Sequence, residues 1–159
     1  MPTIVFSREI RLPADRLYTA VSESLDRIAA QSRTNGIAWS MPIGSTTQAV
    51  SVPVEIAVTK RSVQDPSIAV SIKARAAHVL FPEFDGPFHT LPMSAARTTL
   101  RLRGRYRVPL GLVGSTLNAA GLHRLAEENL RRFFDLVADR SSEAAREVAL
   151  HEHATEAHV

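Results

Sequence analysis

The chain contains no cysteine, which excludes disulfides and thiolate metal sites and leaves the redox compartment unmarked. Aromatic residues make up only 6% of it, so few large rings are available to fill whatever interior it builds. No apolar run approaches the roughly 18–20 residues that a membrane span needs, and no transmembrane segment is expected. The stretch from Met1 to Glu9 has no basic leader, and Arg8-Glu9 interrupts its apolar run. It does not read as a signal peptide, and a cytoplasmic location is expected. Charge of neither sign dominates: 19 Lys and Arg face 16 Asp and Glu, a net +3, which permits an acidic partner without demanding one. Internal repeats and linkers are also missing. The remainder, 159 residues at 45% hydrophobic and 22% charged, has the make-up of one domain with a real core.

The clearest pattern present lies between Ala96 and Val108. Leu100, Leu102, Gly104, Tyr106 and Val108 alternate with Arg101, Arg103, Arg105 and Arg107, the period-two signature of a half-buried strand. Val50, Val52, Val54, Ile56 and Val58 form a second alternating run, with Pro53 opposite in parity. A proline cannot donate to a ladder, so the spacing predicts an edge strand or a bulge there. Thr3–Leu12, Ile37–Met41 and Ile68–Ala74 read as further strands, the last preceded by a Gln64-Asp65-Pro66-Ser67 hairpin loop. Val79–Pro92 carries Pro82, Gly86, Pro87 and Pro92, and a strand broken by a loop is expected. Strands this close in sequence must pair antiparallel.

Two helices are predicted. Pro13-Ala14-Asp15 opens the first, whose Leu17, Val21, Leu25 and Ile28 recur at helical spacing as far as Gln31. The second follows a Val108-Pro109-Leu110-Gly111 turn. Its apolar stripe is Leu122, Ala126, Leu130, Phe133 and Val137, and Arg124, Glu127, Glu128, Arg131, Arg132 and Asp135 face out. Residues 1–140 make the domain, and 141–159 form a helical extension expected to fray into a flexible tail.

Two segments carry a family likeness. Ser7–Val21 runs from a strand ending in a hydrophobic residue into Pro13-Ala14 and a helix with Tyr18 five residues after the proline. Tyr106-Arg107-Val108-Pro109-Leu110-Gly111 leads into the amphipathic run ending near Val137. Together they resemble the START/SRPBCC superfamily, the helix-grip or Bet v 1-like proteins, bacterial members among them. The resemblance implies an α+β helix-grip fold: a curved antiparallel sheet of about six or seven strands wrapped around a long C-terminal helix. It also implies an internal cavity that binds a hydrophobic or amphipathic small molecule, as in lipid carriers and sensors. Polyketide cyclase or dehydrase activity on the same fold is the alternative, so catalysis is left open. No cofactor and no metal are implied, and homodimerisation is left open.

Candidate site residues follow. Trp39, Met41, Phe84, Phe88, His89 and Met93 are expected to line the cavity, with Arg8 and Tyr106 as polar contacts. Arg8 shares parity with Ile4, Phe6 and Ile10, which places it on the apolar face. Phe81, Phe84 and Phe88, among prolines and glycine, suggest either a flap that suits a cavity mouth or a partner surface, or a simple cap on the core. His89 is the best single candidate for proton transfer, but His78, Glu83, Asp85 and His89 lack metal-ligand spacing. The arginine row has no aromatic residues for base stacking. It reads as a solvated outer face, with an interaction module using this basic face as a second alternative function, and nucleic acid is not an expected partner. His151, His153 and His158 belong to the tail.

Overall fold

In a computed structural model of the chain, residues 2–34, 37–42, 49–75, 83–107 and 119–158 are described, without the side chains of 39–42, 49–51, 119–122 and 125. The chain builds β1 (Thr3–Ile10), α1 (Ala14–Thr34), β2 (Ile37–Pro42), β3 (Ala49–Ser62), β4 (Ser67–Ala74), β5 (Glu83–Ser94), β6 (Arg97–Arg107) and α2 (Ala119–Glu156). The sheet order is β1-β6-β5-β4-β3-β2, antiparallel throughout. β1 and β2 are therefore the two edges, and α1 carries the chain from one to the other. The sheet curls into a half-barrel around the helices, the expected helix-grip architecture.

Period-two alternation sorts each strand into an inner and an outer face. Ile4, Phe6 and Ile10 of β1, Leu100, Leu102 and Tyr106 of β6, Phe84 and Phe88 of β5, Ile68, Val70 and Ile72 of β4, and Val54 and Ile56 of β3 are all buried. Both helices lie on that inner face. α1 contributes Leu17, Val21, Leu25 and Ile28, and α2 contributes Ala126, Leu130, Phe133, Phe134 and Val137. The helices run antiparallel: Ser24 Oγ lies 3.3 Å from Ser141 Oγ, and farther back along α1 Arg16 pairs with Glu152 at 2.9 Å. α2 continues without interruption through residue 140, and Ala145 is still buried.

Two expectations about proline are corrected. β3 lies inside the sheet, between β2 and β4, and its register shift falls at Val58/Lys60 instead of at Pro53. Pro53 is accommodated because β4 pairing ends at Val54↔Ala74. Beyond that point Arg75 N–H still donates to the Pro53 carbonyl at 2.9 Å, so only the donor that proline lacks is forgone. In the second case, β5 runs from Glu83 to Ser94 as one strand with no loop. Pro87 faces a gap in β5–β6 pairing, which lapses between Asp85↔Arg105 and Phe88↔Leu102 and resumes in step. A missing N–H costs little where no ladder bond is made. Residues 79–82 of that expectation, Phe81 and Pro82 included, lie outside the described residues.

The lapse coincides with a close approach. A Cβ on Gly86 would collide with Gly104 Cα and lie 2.5 Å from the Arg103 carbonyl oxygen. A Cβ on Gly104 would strike the Phe84 ring and lie 2.5 Å from the Asp85 carbonyl oxygen. The glycines let β5 and β6 press together and let the Phe84 ring lie over the Gly104 backbone.

Candidate functional site

β6 ends its inner face on Tyr106, a residue only 2% exposed. Its cross-strand neighbour on β5 is Phe84, also buried, and its backbone N–H donates to the Pro2 carbonyl at 3.3 Å. The tyrosine hydroxyl reaches across from sheet to helix and hydrogen-bonds His123 Nδ1 of α2. The two rings are inclined at 40° with centroids 5.4 Å apart. One turn along α2, Glu127 places Oε2 3.9 Å from His123 Nε2, since residues at i and i+4 share a helix face. Arg131 then binds the other Glu127 oxygen at 3.2 Å. A chain of polar groups therefore runs from a buried phenol to a half-exposed imidazole and carboxylate, whose side chains are 46% and 43% exposed.

Burial raises the Tyr106 pKa above the ordinary tyrosine range, and the negative charge of Glu127 raises it further. The phenol therefore stays protonated in the fold. A raised acid pKa means that the folded state holds the proton more tightly than the unfolded one. The associated stability is intact below about pH 10 and is lost as pH climbs through the folded-state value. Alkaline unfolding followed by circular dichroism should show this branch in the native chain and a flatter one in Tyr106→Phe.

The sequence-derived candidates fall in different places. Tyr106 and Phe84 meet at the site just described. Phe88 is buried farther along β5, its ring 6.2 Å from Phe134 in a stacked arrangement and 5.9 Å from Phe133 edge-on. Trp39 and Met41 pair through their backbones with Val52 and Val50 on the β2 edge, and their side chains lie outside the described residues. His89 has the opposite parity to Phe88 and Thr90 and sits on the outer face, opposite Arg101 and Ser67. Met93 is 65% exposed, near the β5–β6 turn. Arg8 keeps its helix-facing parity, but its guanidinium binds Asp139 at 2.7 Å and approaches Asp135 at 3.8 Å. It lines a shallow recess of about 220 Å³ with Phe6, Arg131 and Phe134, and Arg131 itself stacks over Phe6 at 5.0 Å.

Exposed ion pairs contribute about 0–1 kcal/mol. Arg8→Ala should therefore lower the unfolding free energy by less than about 1 kcal/mol in a urea titration, and it should leave small-molecule binding unchanged.

The arginine row lies on the outer sheet face. Arg97 pairs with Glu9 at 3.4 Å, Arg105 stands opposite Asp85, and Arg107 stands opposite Glu83. Among the described residues no His, Asp and Glu cluster suits a metal ion, and no helix is long and apolar enough to cross a membrane. A groove of about 930 Å³ also runs between α1 and α2, lined by Thr19, Glu23, Ala144, Val148 and His151. It opens to solvent, and the Arg16–Glu152 pair ties its two walls together.

Sequence reasoning missed His123 and Glu127. Helical spacing put Glu127 on the outer face, where it does pair with Arg131. The usable signal was the i,i+4 His–Glu step one residue on from Leu122 and Ala126 of the apolar stripe.

No family model matches the chain, and no curated protein does. Solved structures do resemble it. A protein from Thermus thermophilus aligns with a TM-score of 0.58 at 16% identity, over 90% of this chain and 99% of that one. The Zhui aromatase/cyclase from Streptomyces sp. R1128 aligns at 0.56 and 13%, over 91% and 93%. Norcoclaurine synthase from Thalictrum flavum, in complex with dopamine and hydroxybenzaldehyde, aligns at 0.52 and 12%, over 92% and 87%. At these identities the likeness is one of fold.

Proposed function

On the helix-grip fold that the chain shares with these structures, we propose that it binds a hydrophobic or amphipathic small molecule. The ligand lies between the inner sheet face and the N-terminal half of α2. The observation that carries this reading is the Tyr106 hydroxyl, a buried polar group that stands beside the buried Phe84 and reaches from the sheet to the helix. A few convergent polar groups in apolar surroundings are the usual form of a small-molecule site. Phe84 supplies apolar wall beside Tyr106. Binding is driven by desolvation, about 25 cal/mol per Å² of apolar surface removed from water, and the hydroxyl fixes orientation. Arg8, His89 and Met93 take no part in this arrangement. Fold relatives that handle aromatic compounds, one of them holding dopamine and hydroxybenzaldehyde, make an aromatic ligand the natural first probe.

A second reading has the Tyr106–His123–Glu127 chain in its favour: an enzyme of the cyclase or dehydrase kind, in which these groups transfer protons. The two readings separate on His123→Ala. A carrier keeps its ligand and has no turnover to lose, whereas an enzyme loses rate by about 10²-fold or more. For the primary reading, fluorescence titration with anilinonaphthalene sulfonate should show saturable binding displaced by naphthol. Absence of saturable binding would remove the proposal.

A further inference from the structure

We infer that Tyr106 offers a ligand only its oxygen lone pairs, so that the site selects molecules presenting an O–H or N–H donor at that point. The inference rests on the ligand-binding reading above. It follows from the direction of the polar chain. A neutral imidazole carries its proton on one nitrogen, and the surroundings decide which. The Glu127 carboxylate beside Nε2 favours the proton there. At 3.9 Å this is an electrostatic bias more than a hydrogen bond. Nδ1 is then left as an acceptor, and the only proton available to bridge it to Tyr106 is the phenolic one.

The phenol keeps that proton because it is buried and neutral. With the O–H committed to His123, the remaining Tyr106 valences are acceptors. A phenol, alcohol or amide N–H can complete them. An ether or ketone oxygen would meet lone pairs with lone pairs, leaving two buried acceptors unpaired.

The chain also has a defined reversal. Protonation gives the imidazole a hydrogen on both nitrogens, so Nδ1–H donates to the tyrosine oxygen and frees the phenolic O–H for the ligand. Among the described residues, the titratable or charged groups facing His123 are Tyr106 from β6 and, on α2, Glu127 with Arg131 behind it.

Naphthol and its methyl ether, methoxynaphthalene, test this by fluorescence titration of the intact protein. They share a ring system and differ in one donor. The ratio of their affinities is compared between the native chain and Tyr106→Phe, which cancels their different hydrophobicities. The expected result is a naphthol-over-ether ratio that falls roughly five- to tenfold in Tyr106→Phe, the size of one net hydrogen bond. Circular dichroism confirms that the variant is folded. A ratio that is unchanged, or that rises in Tyr106→Phe, overturns the assigned direction while leaving ligand binding intact. If neither compound binds the native chain, the ligand-binding reading fails and this inference fails with it.

Discussion

Replacing Phe88 with alanine should lower the unfolding free energy by about 3–5 kcal/mol, the range for truncating a buried phenylalanine. The residue is 1% exposed, and α2 answers it with two rings, Phe133 edge-on and Phe134 stacked. Phe134 also lies 5.8 Å from Phe6 of β1, so the cluster joins both flanking strands of β6 to the long helix. Truncation removes the transfer energy of the ring and leaves a void that its two neighbouring phenylalanines cannot close without moving. Urea denaturation of native and variant chains provides the comparison. The result also locates the ligand space. If Phe88 bordered an open cavity, its neighbours would already lack atoms on one side, and the loss should fall well below that range. A full loss places this half of the grip in solid core and leaves the Tyr106 half for a ligand.

Gly86→Ala should cost about 3 kcal/mol or more, at or beyond the upper end of overpacking effects. The new methyl would meet Gly104 Cα and the Arg103 carbonyl. Both are backbone atoms of the neighbouring strand, so no rotamer change relieves the clash. β5 and β6 must separate where their pairing already lapses, and Phe88 and Phe84 sit immediately on either side. Gly104→Ala meets the Phe84 ring as well as the Asp85 carbonyl, so it should additionally displace that ring and weaken naphthol binding. Thermal unfolding of the two variants measures the first effect, and fluorescence titration measures the second. A Gly86→Ala chain as stable as the native one would mean that the two strands do not approach closely.

These outcomes also mark what could be read from residues alone. The alternation in 97–107 and 52–58 was legible because one face of each strand is the more buried and the other the more exposed. The helices were legible because the apolar spacing of Leu17, Val21, Leu25 and Ile28, and of Ala126, Leu130, Phe133 and Val137, matches the faces that pack. Prolines were misjudged for one reason. Their cost depends on whether the strand beside them offers a partner at that residue, and pairing between distant segments is invisible in local sequence. Arg8 illustrates the same limit from the other side. Parity placed it on the helix-facing side of β1, but no local pattern revealed that Asp135 and Asp139, far along the chain, would meet it there. The inward placement of Tyr106 was legible because it lies on a clean alternating face. The polar chain to His123 and Glu127 was not, because the contact between Tyr106 and His123 exists only once α2 has docked against β6.

Small-molecule binding requires that space beside Tyr106 hold a molecule. Native mass spectrometry of the protein purified from its own host tests this most directly. The expected spectrum shows the intact chain with a small-molecule adduct that disappears on denaturation, and with naphthol bound when it is supplied to the emptied protein. A chain that stays bare in both conditions would contradict the account.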